Sequence, residues 1–308
     1  MKIGVLGIGG VGGFVGGALC RVNKDTYFCA RGENLAAIKE NGLRVDSERL
    51  GSFTAHPAAC GSAEETGRCD AVIIACKGQA LAAACASASA SPMIARGTVV
   101  VPLLNGLLVS EIMKPLLPPC TLADGVIRIF SHIGAPGHIV QESGACSVIT
   151  GMKGGEAASP ALVELCRLMC EAGVPARLSD EIEIESWKKF VLMCGNSVIF
   201  GLYGGAAGVV RADPGHAELC RAVWREQLAV AESEGVKLPD DMIEKNLAEF
   251  ERHPDATITS LYRDLSAGKK PEETELAHLV GRIVALGRKN GIATPLHSKM
   301  FEKYGGRL

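Results

Sequence analysis

Three glycines near the amino terminus have a spacing that suits chemistry. Gly7, Gly9 and Gly12 form the pattern G-x-G-x-x-G directly after the apolar run Lys2–Leu6. Between a strand and a helix, the first glycine permits a tight turn, the second lets the backbone approach a pyrophosphate, and the third lets the helix pack on the strand. The helix amino terminus adds free N–H groups and a positive dipole. The pattern predicts a dinucleotide site formed by Gly7, Ile8, Gly9, Gly10, Val11 and Gly12.

The same segment has alternatives, because a basic residue before an apolar run is also typical of a secretion signal or a membrane span. Glycine is a poor helix former, and the run reaches Arg21 and Lys24 too soon for a bilayer crossing. Leu19 is not the small residue that a lipoprotein signal has before its cysteine, and we find no small-x-small cleavage site. We therefore expect a cytoplasmic protein. The remaining alternative to a dinucleotide site is a glycine-rich turn with a purely structural role.

Three polar residues follow apolar runs at the carboxyl ends of predicted strands, where open α/β sheets bind ligands. Arg31, in FCARGENL, stands where NAD-specific enzymes place an acidic residue for the ribose 2′-hydroxyl. A guanidinium suits a 2′-phosphate instead, so Arg31 predicts NADP. Lys77 follows CDAVIIAC and Asn105 follows VVVPLL, so we expect both to contact cofactor or substrate, with a solvated loop position as the alternative.

Alternating strands and helices must position these residues. The apolar runs and the helical spacing between them predict a parallel sheet with helices on both faces. The pattern becomes more β-like from Ala123 to Gly151 and then predicts one more helix and an edge strand. The predicted elements are strands Lys2–Leu6, Thr26–Ala30, Asp70–Cys76, Thr98–Leu104 and Ala176–Ser179, and helices Glu33–Asn41, Gln79–Ala90 and Pro160–Ala172.

From Asp180 onward, apolar residues recur at helical spacing with few strand signals. This half predicts the helices Ser186–Phe200, His216–Glu234, Asp240–Phe250 and Glu273–Asn290, the last of them terminated by Gly291 and Pro295. A length of 308 residues suits two domains. The predicted fold is α/β, with a Rossmann-type dinucleotide-binding domain over residues 1–179 followed by an all-helical domain over residues 180–308.

The composition excludes several classes of protein. The net charge of −2 gives no basic excess for nucleic acid or an anionic membrane. The twelve cysteines are scattered and form no C-x-x-C pair, which predicts free buried thiols in a reducing cytoplasm rather than disulfides or zinc ligands. The seven histidines show no ligand spacing, so we predict no metal site.

Over nearly its whole length the sequence resembles the ketopantoate reductase (2-dehydropantoate 2-reductase) family. The early motifs are shared with many dehydrogenases, whereas the W-x-K-F helix, the later S-x-x-x-D segment and the T-E-x-x-x-x-x-G helix are far more specific. In family order, the matching pieces are GIGGVGG, CAR at Arg31, ACKGQ at Lys77, LLNG at Asn105, APGHI, SWKKF at Lys189, VVRADP, TSLYRD at Ser260, TELAHLVG at Glu275 and NGIATP.

The resemblance implies an NADPH-dependent reduction of a 2-keto acid to a 2-hydroxy acid, serving pantothenate and coenzyme A synthesis. It assigns Lys189 as the general acid to the keto oxygen, and Glu275 as the acid that binds the substrate hydroxyl or helps to place the lysine. Ser260 would hold the substrate carboxylate, and Lys77 and Asn105 would line the nicotinamide side. The residue types suit the chemistry, because negative charge builds on the oxygen as hydride reaches the carbonyl carbon.

Each of these assignments has a rival. Lys188 is adjacent to Lys189, and one of two neighbouring helical lysines is usually solvated. Glu275 lies in an acidic run whose other candidate is Glu272, although the spacing to a later glycine favours Glu275. Ser260 could equally be the N-cap of the helix that follows.

The sequence departs from the family pattern beyond the lysine. Lys189, Met193, Asn196 and Ser197 share one helix face, and many members carry Asn at the positions of Met193 and Ser197. Val280 also stands where many members have Asn. We expect Met193, Asn196 and Ser197 to line the substrate, with Asn196 able to replace a missing amide. The departure keeps the reaction class but leaves the substrate open between ketopantoate and another branched or aromatic 2-keto acid.

One further hypothesis is a non-catalytic NADP-binding sensor, which would keep the glycine loop and Arg31 without a proton donor. The joint presence of Lys189, Ser260 and Glu275 favours an enzyme. A helical second domain of this kind can also form a homodimer. We expect a small-molecule substrate and no nucleic-acid or membrane partner.

Overall fold

The computed structural model describes residues 1–142 and 146–307, so residues 143–145 of the predicted β-rich stretch and residue 308 lie outside the described residues. The chain forms two compact units. The first contains Met1–Leu104 and Leu108–Glu183, and the second contains Asn105–Leu107 and the chain from Ile184 onward. The sequence predicts a boundary after residue 179, close to the division at Glu183. It does not predict that Asn105–Leu107 belongs with the second unit.

The centre of the first unit is a six-stranded sheet in which every neighbouring pair is parallel. Its strands are β1 (Ile3–Leu6), β2 (Thr26–Cys29), β5 (Ala59–Gly61), β6 (Ala71–Ile74), β7 (Val99–Pro102) and β8 (Thr121–Leu122). They lie in the order β5-β2-β1-β6-β7-β8. This confirms the predicted parallel sheet, and its central strands β1, β6 and β7 are apolar along their length because both of their faces are buried.

Helices cover both faces of this sheet. Val5 and Ile73 pack into one apolar cluster with the helix residues Phe14 and Leu165. Leu6 and Ile74 pack into another with the helix residues Cys85 and Met113. The helices of the first unit are α1 (Gly10–Cys20), α2 (Gly32–Asn41), α3 (Ala63–Thr66), α4 (Leu81–Ser89), α5 (Val109–Met113) and α6 (Pro160–Glu171).

Two smaller sheets complete the first unit. One has the order β10-β11-β3-β4 and consists of β10 (Ser131–Ala135), β11 (His138–Gln141), β3 (Leu43–Ser47) and β4 (Gly51–Ala55). The other has the order β13-β12-β9 and consists of β13 (Ala176–Leu178), β12 (Ser147–Gly151) and β9 (Asp124–Arg128). The sequence predicts β character near β9 to β12 but not the β3–β4 hairpin.

The glycine-rich helix α1 packs between the parallel sheet and the β10-β11-β3-β4 sheet, and several of its glycines have no room for a side chain. A Cβ added to Gly16 would lie 2.8 Å from the ring of Phe28 in β2. A Cβ added to Gly13 would lie 2.6 Å from Ile139 in β11. Gly13 and Gly16 therefore serve packing.

Apart from Asn105–Leu107 and the connecting turns, the second unit consists of helices over its described residues, and the first of these helices begins two residues before the division. The predicted helix Ser186–Phe200 lies within a longer helix. Among the described residues no helix is both long and apolar enough to cross a bilayer. The helices are α7 (Ile182–Tyr203), α8 (Ala207–Arg211), α9 (His216–Ser233), α10 (Met242–Phe250), α11 (Ser260–Ser266), α12 (Arg282–Asn290) and α13 (Pro295–Lys303).

The predicted helix Glu273–Asn290 is confirmed from Leu276 onward, but it begins three residues later than predicted and its first turn is π-helical. Pro271–Glu273 forms a 3-10 turn, and Ala277–Gly281 forms a π-helical segment before α12 begins. The Thr274 hydroxyl accepts a hydrogen bond of 3.2 Å from the Leu276 N–H, which explains why helical structure starts only there. Segments of π-helix are often found at functional sites.

The two predicted stop signals after α12 have different roles. Gly291 ends the helix with a φ of 70°, which confirms the prediction, because glycine adopts this left-handed conformation without strain. Pro295 instead begins α13, at a position where its missing N–H leaves no hydrogen bond unmade.

Candidate active site

The three motif glycines have three different environments. Gly7 has a φ of 91°, and a Cβ there would lie 3.0 Å from the backbone of Ala75. A Cβ on Gly12 would lie 2.1 Å from the carbonyl oxygen of Gly7. A Cβ on Gly9 would meet nothing within 4 Å. These environments fit a tight turn, a close helix–strand contact and an open approach to the backbone, as the spacing predicts.

The amino terminus of α1 offers backbone donors to an anion. Gly9 is the N-cap, no side chain caps the first turn, and the turn carries no acidic residue. Ile8 has its side chain buried in the core, and Val11 is half-buried. Gly10 packs against β10, since a Cβ there would lie 2.3 Å from the Ser131 carbonyl oxygen. These residues can therefore hold a pyrophosphate only through their backbone.

Arg31 and Lys77 follow the strands on either side of β1. Arg31 is the exposed N-cap of α2 directly after β2, and Lys77 is exposed beyond β6. Both β2 and β6 pair in parallel with β1. The carboxyl ends of three adjacent strands therefore carry the glycine loop and two cationic side chains, an arrangement that fits a phosphorylated dinucleotide.

In the second unit, three predicted site residues come together. The Nζ of Lys189 on α7 donates a hydrogen bond of 3.0 Å to Oδ1 of Asn105. The Nδ2 of Asn105 donates a longer one of 3.4 Å to Oε2 of Glu275. All three side chains are half-buried. The Asn105 amide thus contacts both an ammonium and a carboxylate.

The adjacent lysines have different surroundings. Lys188 has a side chain that is 34% exposed, with its Nζ 3.7 Å from Glu185 one turn earlier. Such a surface pair contributes little to stability. Lys189 is the one that contacts Asn105. The geometry therefore favours Lys189 over Lys188 as the site lysine.

The surroundings of Glu272 and Glu275 also differ, and they distinguish the two candidates for the site acid. Glu272 is exposed on the 3-10 turn, whereas Glu275 is half-buried and accepts from Asn105. His278 follows one turn later, and burial lowers its pKa while the charge of Glu275 opposes that shift. A neutral imidazole therefore stands beside Glu275 at neutral pH.

The backbone that presents Asn105 adopts unusual conformations. Gly106 has a φ of 151°, and Leu108 has a φ of 47° although it is not a glycine. Leucine rarely adopts left-handed backbone, so this turn is strained. Strain of this kind is often found at functional sites, and Leu108 lies three residues after Asn105, which contacts Lys189 and Glu275.

The predicted substrate face of α7 is less open than the sequence indicates. Ser197 is buried, and its hydroxyl donates to the Met193 carbonyl at 2.9 Å and is 3.1 Å from the hydroxyl of Thr259. Asn196 is only 7% exposed, and its Oδ1 has no hydrogen-bond partner among the described residues. Met193 is half-buried.

Ser260 is not the N-cap of α11. Thr259 is that cap, with its hydroxyl accepting from the Tyr262 N–H at 3.3 Å, and Ser260 is the exposed first residue of the helix. The capping alternative for Ser260 is therefore wrong. Thr259 is a residue that the motifs do not indicate, although Thr directly before a helical stretch is a signal for an N-cap.

The cysteines and the other possible metal ligands are scattered over the described residues. All twelve cysteines are free thiols, and burial raises the pKa of Cys85 to about 11 and that of Cys20 to about 12. Over residues 1–142 and 146–307 there is no group of three or more His, Cys, Asp or Glu side chains that could hold a metal ion.

Comparison with known proteins identifies the family. The sequence model described as Ketopantoate reductase PanE/ApbA matches residues 3–152. The model described as Ketopantoate reductase PanE/ApbA C terminal matches residues 181–305. The chain belongs to the ketopantoate reductase PanE/ApbA family. As a member of this ketopantoate reductase family, the protein is an NADP-dependent oxidoreductase.

Individual ketopantoate reductase relatives cover almost the whole chain. A 2-dehydropantoate 2-reductase of Mesorhizobium japonicum is 29% identical over 96% of this chain and 94% of its own length. The Bacillus subtilis protein named uncharacterized oxidoreductase YkpB is 28% identical over 96% of this chain and 95% of its own. A crystal structure of a PanE/ApbA family ketopantoate reductase from Ralstonia eutropha JMP134 superposes with a TM-score of 0.85 at 27% identity, covering 99% of this chain and 98% of that one.

Proposed function

We propose that the protein reduces ketopantoate to pantoate with NADPH as the hydride donor. The observation that carries this proposal is the contact of Lys189 with Asn105, and of Asn105 with Glu275. A half-buried ammonium held by neighbouring side chains suits protonation of an oxygen that becomes an alkoxide.

In this proposal Lys189 is the general acid. NADPH, when bound, supplies the hydride that reduces the carbonyl carbon. The Nζ of Lys189 stabilises the negative charge that develops on the keto oxygen and then transfers one proton to it, leaving a neutral amine and a hydroxyl group. Solvent returns the proton to Lys189 before the next turnover.

Asn105 and Glu275 would orient the lysine. The Asn105 Oδ1 accepts one N–H of the ammonium and restricts its rotation, while Nδ2 keeps the Glu275 carboxylate directed towards the same amide. Glu275 can also accept a hydrogen bond from a substrate hydroxyl.

The cofactor would be held by residues of the first unit. The backbone N–H groups of the first turn of α1 fit the pyrophosphate, and Arg31 fits the 2′-phosphate as a cation at the end of β2. Lys77 and Asn105 would contact the nicotinamide side. Measuring NADPH and NADH in parallel tests the contribution of Arg31.

The residues proposed to contact the substrate also support a second candidate substrate. Ser260 is exposed and would hold the substrate carboxylate. Ser197 already donates its hydroxyl within the protein, and Met193 has no polar group to offer. Both observations reduce the polar contacts available to a hydroxylated substrate, so the alternative is a branched or aromatic 2-keto acid without that hydroxyl.

The test is NADPH oxidation, followed by absorbance, with ketopantoate beside a panel of branched and aromatic 2-keto acids. We expect efficient turnover of ketopantoate. Turnover of another acid alone would keep the reaction class and reassign the substrate. Tight NADPH binding without any turnover would support the sensor hypothesis.

The biological setting is part of the proposal. Reduction of ketopantoate places the protein in pantothenate and coenzyme A synthesis. The twelve free thiols support a reducing cytoplasm. A homodimer stays a prediction, which analytical ultracentrifugation would test.

A further inference from the structure

Asn34 joins two segments that are far apart in the sequence. It lies in the first turn of α2, and its Nδ2 donates a hydrogen bond of 2.7 Å to the carbonyl oxygen of Ile8 in the glycine loop. Its Oδ1 accepts another of 2.7 Å from the N–H of Gly137, between β10 and β11. The amide therefore uses both its donor and its acceptor on backbone groups.

The bond to Ile8 controls the direction of a phosphate donor. The carbonyl of Ile8 and the N–H of Gly9 belong to one planar trans peptide, so they point in opposite directions. Glycines stand on both sides of Ile8, and glycine leaves the backbone free to rotate. By holding the carbonyl oxygen, Asn34 sets where the Gly9 N–H points.

The bond to Gly137 connects the same loop to the β10–β11 hairpin. This hairpin also packs on the loop through the Ser131 carbonyl, which leaves no room for a side chain on Gly10. Gly137 packs on α2, since a Cβ there would lie 2.9 Å from Ala37. Asn34 is thus placed where the glycine loop, the hairpin and α2 meet.

We propose that Asn34 is a positioning residue for the cofactor, which orients the backbone donors of the glycine loop for the pyrophosphate before the dinucleotide binds. It stands three residues after Arg31, so one turn of α2 would serve both the pyrophosphate and the 2′-phosphate. This inference rests on the proposed function in one respect, namely that NADPH is the ligand. Orienting these donors in advance lowers the entropy lost when the ligand binds.

The test compares Asn34→Ala with the wild-type protein in direct binding measurements with two ligands. NADPH contains the pyrophosphate, whereas adenosine 2′-monophosphate contains only the 2′-phosphate half. We expect the Kd for NADPH to rise roughly tenfold, in line with the loss of about one well-formed hydrogen bond. The Kd for adenosine 2′-monophosphate should stay within about twofold, because its contacts do not involve the oriented loop.

Hydrogen exchange supplies a readout without ligand or turnover. In the apo protein, we expect the Asn34→Ala variant to exchange faster in the peptide covering residues 7–12, with the strands of the parallel sheet unchanged. Asn41→Ala is the matched control, because Asn41 is exposed at the far end of the same helix. It should behave as wild type in both measurements.

Three results would overturn the inference. An unchanged Kd for NADPH in Asn34→Ala would show that the loop needs no such support. Equal losses for both ligands would show that Asn34 stabilises α2 as a whole instead of orienting the loop. Failure of the wild-type protein to bind NADPH would overturn the proposed function and this inference together. The first two results differ from it, because in both of them the wild-type protein still binds NADPH.

Discussion

Lys189 donates a 3.0 Å hydrogen bond to Asn105, although 84 residues separate them in the sequence. The contact forms within the second unit, because the short segment Asn105–Leu107 follows β7 in the sequence yet belongs to that unit. A residue at the end of a parallel strand thereby orients the side chain proposed as proton donor.

The first prediction concerns Asn105. Replacing Asn105 with Ala removes the acceptor for Lys189 and the donor for Glu275, so the ammonium loses its fixed orientation. We expect kcat to fall by roughly 10- to 100-fold, because a misplaced proton donor stabilises the transition state less well. The Kd for NADPH should rise by a smaller factor, about twofold to fivefold, because Asn105 would also contact the nicotinamide side. A raised Kd with unchanged kcat would instead show that Asn105 mainly contacts the cofactor.

The second prediction separates the two acidic candidates. Glu275→Gln keeps a side chain of the same shape but removes its charge, and we expect kcat to fall by at least about tenfold. Glu272→Gln is the matched control, because Glu272 is exposed on the 3-10 turn, and it should retain wild-type kinetics. Steady-state assays of both variants decide between them, and the reverse ranking would transfer the role to Glu272.

The third prediction concerns Ser197. Its hydroxyl is 3.1 Å from that of Thr259, the N-cap of the helix that begins with Ser260. Ser197→Ala should therefore disturb the start of that helix and raise KM by a similar factor for every 2-keto acid, with little change in kcat.

A substrate panel checks this expectation. If KM rose only for acids that carry a hydroxyl group, Ser197 would contact the substrate directly. Thr259→Val removes the capping hydroxyl and should reproduce the Ser197→Ala result, whereas Thr259→Ser keeps the cap and should resemble wild type.

The fourth prediction uses two glycines of one motif. Gly12→Ala places a methyl group against the carbonyl oxygen of Gly7, so we expect a loss of about 1–3 kcal/mol in the free energy of unfolding. Gly9→Ala has open space around the new methyl group, so the protein should keep its stability but bind NADPH more weakly. Thermal unfolding and NADPH titration of both variants test this, and equal stability of the two would contradict the packing role of Gly12.

Local sequence patterns predicted the parts of the fold that depend on neighbouring residues. The glycine spacing predicted the β1–α1 turn, and apolar runs predicted strands such as β6, because a strand buried on both faces must be apolar throughout. The long helix α7 was predicted from its spacing, and its face contains Lys189, Asn196 and Ser197. These features need no knowledge of distant partners.

The missing features depend on contacts between distant segments. Glu275 meets Asn105 across 170 residues, and Asn34 meets Gly137 across 103. The residues around a short polar side chain such as Asn34 form no local pattern from which its hydrogen-bond partner could be predicted. The sequence predicts that the Ser197 hydroxyl faces the substrate, yet its hydrogen-bond partner Thr259 lies 62 residues away. The sequence shows such residues but not what they contact.

The central claim is that Lys189 gives the proton to the keto oxygen, and its direct test is the kcat of Lys189→Met with NADPH and ketopantoate. Lys188→Met is the matched control, since Lys188 pairs only weakly with Glu185 at 3.7 Å. We expect Lys189→Met to lose roughly 10²- to 10⁴-fold in kcat while binding NADPH normally, and Lys188→Met to turn over as wild type. Full turnover by Lys189→Met would contradict the account.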